Sequence, residues 1–134
     1  MYRVLVVDDD PSLREMLAVI LTGEGYEVAC AGHGVEAVTY FERSWQPDVL
    51  LLDLLMPVMD GADVCRWLAA HIPPDECPRV AILSASLTPN TQLPVVDALL
   101  SKPFNLDRVL TLVRRFCTGV PLHQRLDLPL PISA

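Results

Sequence analysis

The chain has 134 residues, 51% of them hydrophobic and 20% charged. That suits one folded domain with a real core and excludes a chain disordered over most of its length. The formal net charge of −7 comes with no basic stripe, which argues against direct nucleic-acid binding. No apolar run approaches the ~20 residues of a membrane span. The start, MYRVLVVDDD, is no signal peptide, so a cytoplasmic protein is expected. Cys30, Cys65, Cys77 and Cys117 lack the close spacing of a zinc site and read as reduced packing residues.

In chain order, RVLVV (3–7) predicts a buried strand. Ser12 and Glu15 then fit a capping box, and Leu13, Met16, Leu17, Ile20 and Leu21 fit a helix stripe that Gly23 and Gly25 stop. EVACA (27–31) predicts a second strand. Residues 34–43 predict a second helix, with Val35, Val38 and Phe41 on one side. VLLL (49–52) predicts a third strand. Cys65, Leu68, Ala69 and Ile72 predict a third helix, ended by Pro73 and Pro74. RVAIL (79–83) is a fourth strand and DALL (97–100) a weaker fifth. Leu106, Val109, Leu110, Val113 and Phe116 mark a last helix. Strands alternating with helices predict a parallel sheet covered on both faces. Residues 119–134 carry three prolines and no helical period, and read as a tail beyond a 1–118 domain.

Ligands of such sheets sit beyond the carboxyl ends of the strands. There the sequence puts Asp8, Asp9 and Asp10 after strand one and Asp53 at the end of strand three. Ser84 follows strand four and Lys102 follows strand five. Acids gathered from separate strands repel one another. Lys102 can neutralise one charge, and a divalent cation such as Mg²⁺, with its liking for oxygen and phosphate, suits the rest. Asp53 is then a carboxylate able to act as a nucleophile toward phosphorus. Asp10 reads as a helix-entry residue outside the metal shell. Asp48 and Asp60 read as turn and cap residues. His33, His71 and His123 are expected to carry no catalysis, and Trp67 to be half-exposed packing on the third helix.

VLVVDDDPSLRE (4–15), DVLLLDLLMPVMDG (48–61), AILSAS (81–86) and LSKPF (100–104), in this order, closely resemble the receiver domain of two-component response regulators, the CheY-like fold. The resemblance implies a doubly wound α/β fold, a five-stranded parallel sheet of order 2-1-3-4-5. It implies that Asp53 is the phosphoacceptor. Asp9 and Asp53 would hold Mg²⁺ directly, with the Leu55 carbonyl as a further ligand and Asp8 acting largely through water. Ser84 would bond the phosphoryl group and Lys102 would pair with it. The donor would be a phosphohistidine on a sensor histidine kinase or phosphotransfer protein.

Two departures stand out. Leu99 occupies the position where the family usually carries Tyr or Phe. The segment ASLTPNTQLPVVDALLS (85–101) is shorter than the family norm by ~4 residues, about one helical turn, and holds Pro89 and Pro94. A shortened or irregular fourth helix is expected, on a face where family members dimerise or hold partners. Homodimerisation stays open. With no effector domain following, a stand-alone receiver that passes its signal to a downstream protein partner is expected. The alternatives are a phosphorylation-independent interaction module and a phosphatase using Asp53. The last is disfavoured because Leu55 stands where such enzymes carry a second acid.

Overall fold

The computed structural model describes residues 1–85 and 93–119 of the chain. Its elements run β1 (Arg3–Val7), α1 (Pro11–Gly23), β2 (Glu27–Ala31), α2 (Gly34–Glu42), β3 (Val49–Asp53) and α3 (Gly61–His71). A short 3₁₀ turn (Pro74–Glu76), β4 (Arg79–Ser84), β5 (Ala98–Ser101) and α4 (Leu106–Thr118) follow. The five strands form one sheet of order β2-β1-β3-β4-β5, every pair parallel. This is the expected doubly wound order.

The apolar strand runs alternate between two cores, because successive strand residues face opposite sides. Val4, Val6, Val49, Leu51, Ala81 and Leu83 join α1 and α4 through Leu17, Leu21, Val109, Leu112, Val113 and Phe116. Leu5, Val7, Leu50, Leu52, Val80 and Ile82 join α2 and α3 through Ala37, Phe41, Val64, Cys65 and Leu68. All five residues of β3 are buried. Each such Leu contributes about 1.5–3 kcal/mol by leaving water. The central strand is thus packed on both faces along its whole length, and Asp53 stands at its end.

Several sequence expectations shift. The Ser12–Glu15 capping box is replaced by Asp10, whose carboxylate accepts from the amides of Ser12 and Leu13 while Pro11 opens the helix. An acid with a short side chain one residue before Pro is the better cap. Met16 and Val35, expected in the core, are exposed, and Ala37 takes the inner place on α2. On α3 the inner stripe is Gly61, Val64, Cys65 and Leu68, and Ala69 faces out. Ile72 has already left the helix as its extended C-cap. β5 starts one residue late, because Asp97 is used otherwise: its carboxylate accepts from the Val80 amide at 2.9 Å. β4 runs one residue further, to Ser84.

The expected irregular helix falls mainly on residues 86–92, which lie outside the described residues, as do 120–134 of the tail and His123. Of the rest of that crossover, Pro94 and Val95 form a turn. Leu99, in the departure position, is partly buried against the α2/α3 core. The four cysteines are free thiols, and burial pushes Cys65 up to about 12, which suits a packing role.

Among the glycines, Gly61 at the start of α3 is the one most closely approached by backbone. A Cβ built there would lie 2.4 Å from the Asp53 carbonyl oxygen, and the Gly61 amide donates to Leu54 O at 2.9 Å. Backbone cannot swing aside as a side-chain tip can. Gly61→Ala should therefore lower stability by about 1–3 kcal/mol, read as a lower denaturant midpoint at unchanged slope. A change within about 0.5 kcal/mol, the usual range at an unremarkable surface position, would contradict this packing.

Candidate functional site: an acidic pocket on the sheet rim

Three local features aim the side chains. After β1, Asp10 caps α1 and turns the chain, leaving Asp8 and Asp9 at the strand end. After β3, the loop is pinned at both sides, by Gly61 against Leu54 and by the Gly34 amide donating to Met59 O at 3.0 Å. After β5, the Lys102 amide donates to Ser84 O at 2.9 Å, and the Lys102–Pro103 peptide bond is cis. Asp53 lies opposite Leu83 in the ladder, so Ser84 is one residue beyond it at the same edge.

Asp8 is fully buried and bonded through every part of its structure. Its amide donates to Ala31 O at 3.1 Å. One carboxylate oxygen accepts from the Asp10 amide at 2.9 Å and the other from Lys102 Nζ at 2.7 Å. Its carbonyl accepts from Arg14 Nη1 at 2.7 Å. Lys102 Nζ also lies 3.6 Å from Asp53 Oδ1. One ammonium thus faces two buried carboxylates, with Asp9 exposed beside them.

The charges do not balance. Burial, then the neighbouring Asp8 charge, pushes the Asp53 carboxyl up to about 6; Lys102 and the Leu55 amide oppose this, and Asp9 adds to it. Burial also works against the Lys102 charge, but the bond to Asp8 and the field of both carboxylates outweigh it, so Lys102 holds its proton more firmly than usual. Carboxylate oxygens of Asp8, Asp9 and Asp53 lie within 4.8 Å of one another. Three hard oxygen donors around an under-neutralised spot fit a small divalent cation. Asp8 has both oxygens engaged, so Asp9 and Asp53 are the carboxylates that could hold a cation directly.

The structure brings five of the six expected side-chain and backbone contributors to one rim: Asp8, Asp9, Asp53, Lys102 and, at the end of β4, a buried Ser84. Leu55 enters through its amide, which bonds the Asp53 carboxylate, while its side chain is exposed. Asp48 accepts from the Arg3 amide, and Asp60 caps α3 in a capping box with Asp63. His33 caps α2, and His71 stacks on Trp67 with ring centroids 4.5 Å apart. Sequence reading missed Arg14. It lies off the apolar stripe of its helix, and its partner is a main-chain carbonyl that no motif announces.

Residues 4–114 match the family model of the response regulator receiver domain. The chain belongs to that family. This receiver domain is 39% identical over 116 residues to the response regulator MprA of Mycobacterium leprae, covering 84% of the chain and 49% of MprA. It is 56% identical over 68 residues to the DNA-binding response regulator MtrA of Mycolicibacterium smegmatis, covering 51% of the chain and 29% of MtrA. The chain thus spans about half, or less, of the curated relatives it matches. Among solved structures it resembles chemotaxis response regulator CheY4 of Vibrio cholerae, with a TM-score of 0.75 at 29% identity, covering 87% of this chain and 98% of that one. It also resembles the response regulator TrrA of Thermotoga maritima in complex with Mg(2+)-BeF, with a TM-score of 0.75 at 33% identity, covering 87% and 99%. No helix among the described residues is long and apolar enough to cross a membrane.

The raised Asp53 carboxyl has a consequence for stability. The folded receiver holds this proton more tightly than the unfolded chain, whose value is near 3.8. Stability therefore falls as pH rises from about 4 to about 6 and stays lower above that window. Asp53→Asn removes the penalty. In metal-free buffer at neutral pH the variant should be more stable by on the order of 1–3 kcal/mol, and the gain should vanish near pH 4. A variant less stable than wild type at neutral pH would show that the Lys102 pair, not repulsion, dominates.

Proposed function

We propose that this receiver accepts a phosphoryl group on Asp53 from a phosphohistidine of a sensor histidine kinase or phosphotransfer protein. The single observation that carries the reading is Asp53 itself: a carboxylate at the end of a rigid buried strand, short of counter-charge, beside Lys102. An Asp53 oxygen forms the new bond to phosphorus as the phosphorus–nitrogen bond to the histidine breaks, and the departing imidazole takes up a proton. Asp53 keeps its orientation through the Leu55 amide. Lys102, held by Asp8, meets one oxygen of the arriving group, and the Ser84 hydroxyl meets another. Asp9 and Asp53, with the Leu55 carbonyl, would hold Mg²⁺, which when bound would neutralise charge on the phosphoryl oxygens.

The output follows as a shift between two conformations of the domain, read by a protein partner. Leu99 brings no hydroxyl or ring to that readout, and its partial burial favours a change carried by the backbone of β5 and the crossover before it. Its relatives MtrA and MprA are named as response regulators, MtrA as a DNA-binding one. For this acidic domain the proposed contacts are with proteins, not nucleic acid.

Incubation with Mg²⁺ and acetyl phosphate should add one phosphoryl group to the wild-type mass, lost on hydroxylamine treatment as an acyl phosphate is. Asp53→Asn should stay unlabelled. Equal labelling of both proteins, or of neither while Mg²⁺ binds, would refute the assignment and favour a module that works without phosphorylation.

A further inference from the structure

We propose that Arg14 is the positioning residue of the acidic pocket: its guanidinium holds the Asp8 main-chain carbonyl and thereby fixes where the Asp8 and Asp9 carboxylates point. The inference rests on the reading of the pocket as a cation and phosphoryl site.

The geometry is specific. Arg14 reaches back from the first turns of α1 to Asp8, six residues earlier, and its Nη1 donates to the carbonyl at 2.7 Å in a partly buried setting. That is the short distance of a charge-assisted bond. The other bonds of Asp8 go to groups that the chain holds for separate reasons: Ala31 in the ladder, the amide of Asp10 at the cap, and Lys102 after β5. Among the described residues, Arg14 is the one that bonds the peptide unit joining Asp8 to Asp9. A turn of that unit would swing Asp9, which is exposed and has no packing to hold it. The guanidinium also brings a positive charge beside the pocket and, among the described residues, makes no ion pair with its carboxylates.

Arg14 is itself backed. A Cβ built on Gly32 would lie 3.2 Å from Arg14 Nη1 and 3.7 Å from Glu36 Oε1. Glu36 Oε1 accepts from the Gly32 amide at 2.6 Å. The turn between β2 and α2 therefore lies close behind the guanidinium, and a Cβ at position 32 would press on it. Two variants follow from this. Arg14→Met removes the bond and keeps the stem. Gly32→Ala presses on the guanidinium from behind, a milder push in the same direction.

Two readouts on the full chain test the role, with Leu17→Val, a buried change on the same helix, as the control for general loosening. In metal-free protein, amide hydrogen exchange at Asp10, whose N–H bonds the Asp8 carboxylate, should quicken about tenfold in Arg14→Met beyond any change in the control. Titration calorimetry with Mg²⁺ should give an affinity about tenfold weaker, the lower end of what loss of an outer support costs a metal site. Arg14→Lys should recover part of both, and Gly32→Ala should show a smaller loss of the same kind. Wild-type exchange at Asp10 in Arg14→Met overturns the proposal. So does quickened exchange with unchanged Mg²⁺ affinity, or a loss no greater than that in Leu17→Val. If wild type binds no Mg²⁺ while Asp10 exchange responds to Arg14, the cation reading fails and the positioning role stands.

Discussion

Two buried carboxylates share one lysine. Lys102 Nζ bonds Asp8 at 2.7 Å and stands 3.6 Å from Asp53, with Asp9 adding a third negative charge at the pocket mouth. In water such crowding would cost little. Under a sheet rim, where the dielectric is lower, like charges at this separation are costly and are relieved by protonation, by a cation or by a change of charge partner. The raised Asp53 carboxyl is the signature of that unmet demand. An arrangement that is complete would have no reason to accept anything. With three carboxylates facing one ammonium, this one is short of positive charge.

The rest of the fold exists to keep the crowding from relaxing. β1, β3, β4 and β5 lie side by side with their carboxyl ends at one edge; β1 delivers Asp8 and Asp9 there, and each of the others one group. Cores on both faces clamp β3, so Asp53 cannot retreat by moving its backbone. Gly61 brings α3 against the Asp53 carbonyl, closing the way out on that side. Asp8 is fixed by bonds from four directions, and Asp9 is the exposed carboxylate of the three. Rigid support on these sides keeps the charged groups of the rim close together.

Much of this was legible in the residues. The strand runs alternating with helical periods gave a parallel sheet covered on both faces, while its order came from the resemblance to receiver domains. Asp8, Asp9, Asp53, Ser84 and Lys102 were legible because all five stand at strand ends, where a parallel sheet must put them on one rim. The errors share a cause. Ser12 with Glu15 matched a capping pattern, but Asp10 was closer to the turn and took the cap. Ala69 and Met16 fitted an apolar period, but helix faces are decided by the sheet beneath them. Arg14 could not be found at all by pattern, since it serves a carbonyl and depends on a glycine in another turn. The crossover after Ser84 was expected to be irregular, and residues 86–92 of it lie outside the described residues.

The most direct test of the account is the titration of Asp53 itself, followed by carbon-detected NMR of its labelled carboxyl group, first without and then with saturating Mg²⁺. Without the cation the carboxyl should titrate near 6; with it, the midpoint should drop below the ordinary carboxylate range. A carboxyl that titrates near its ordinary value in metal-free buffer and ignores Mg²⁺ would mean the pocket is already balanced, and the charge deficit on which the account depends would not exist.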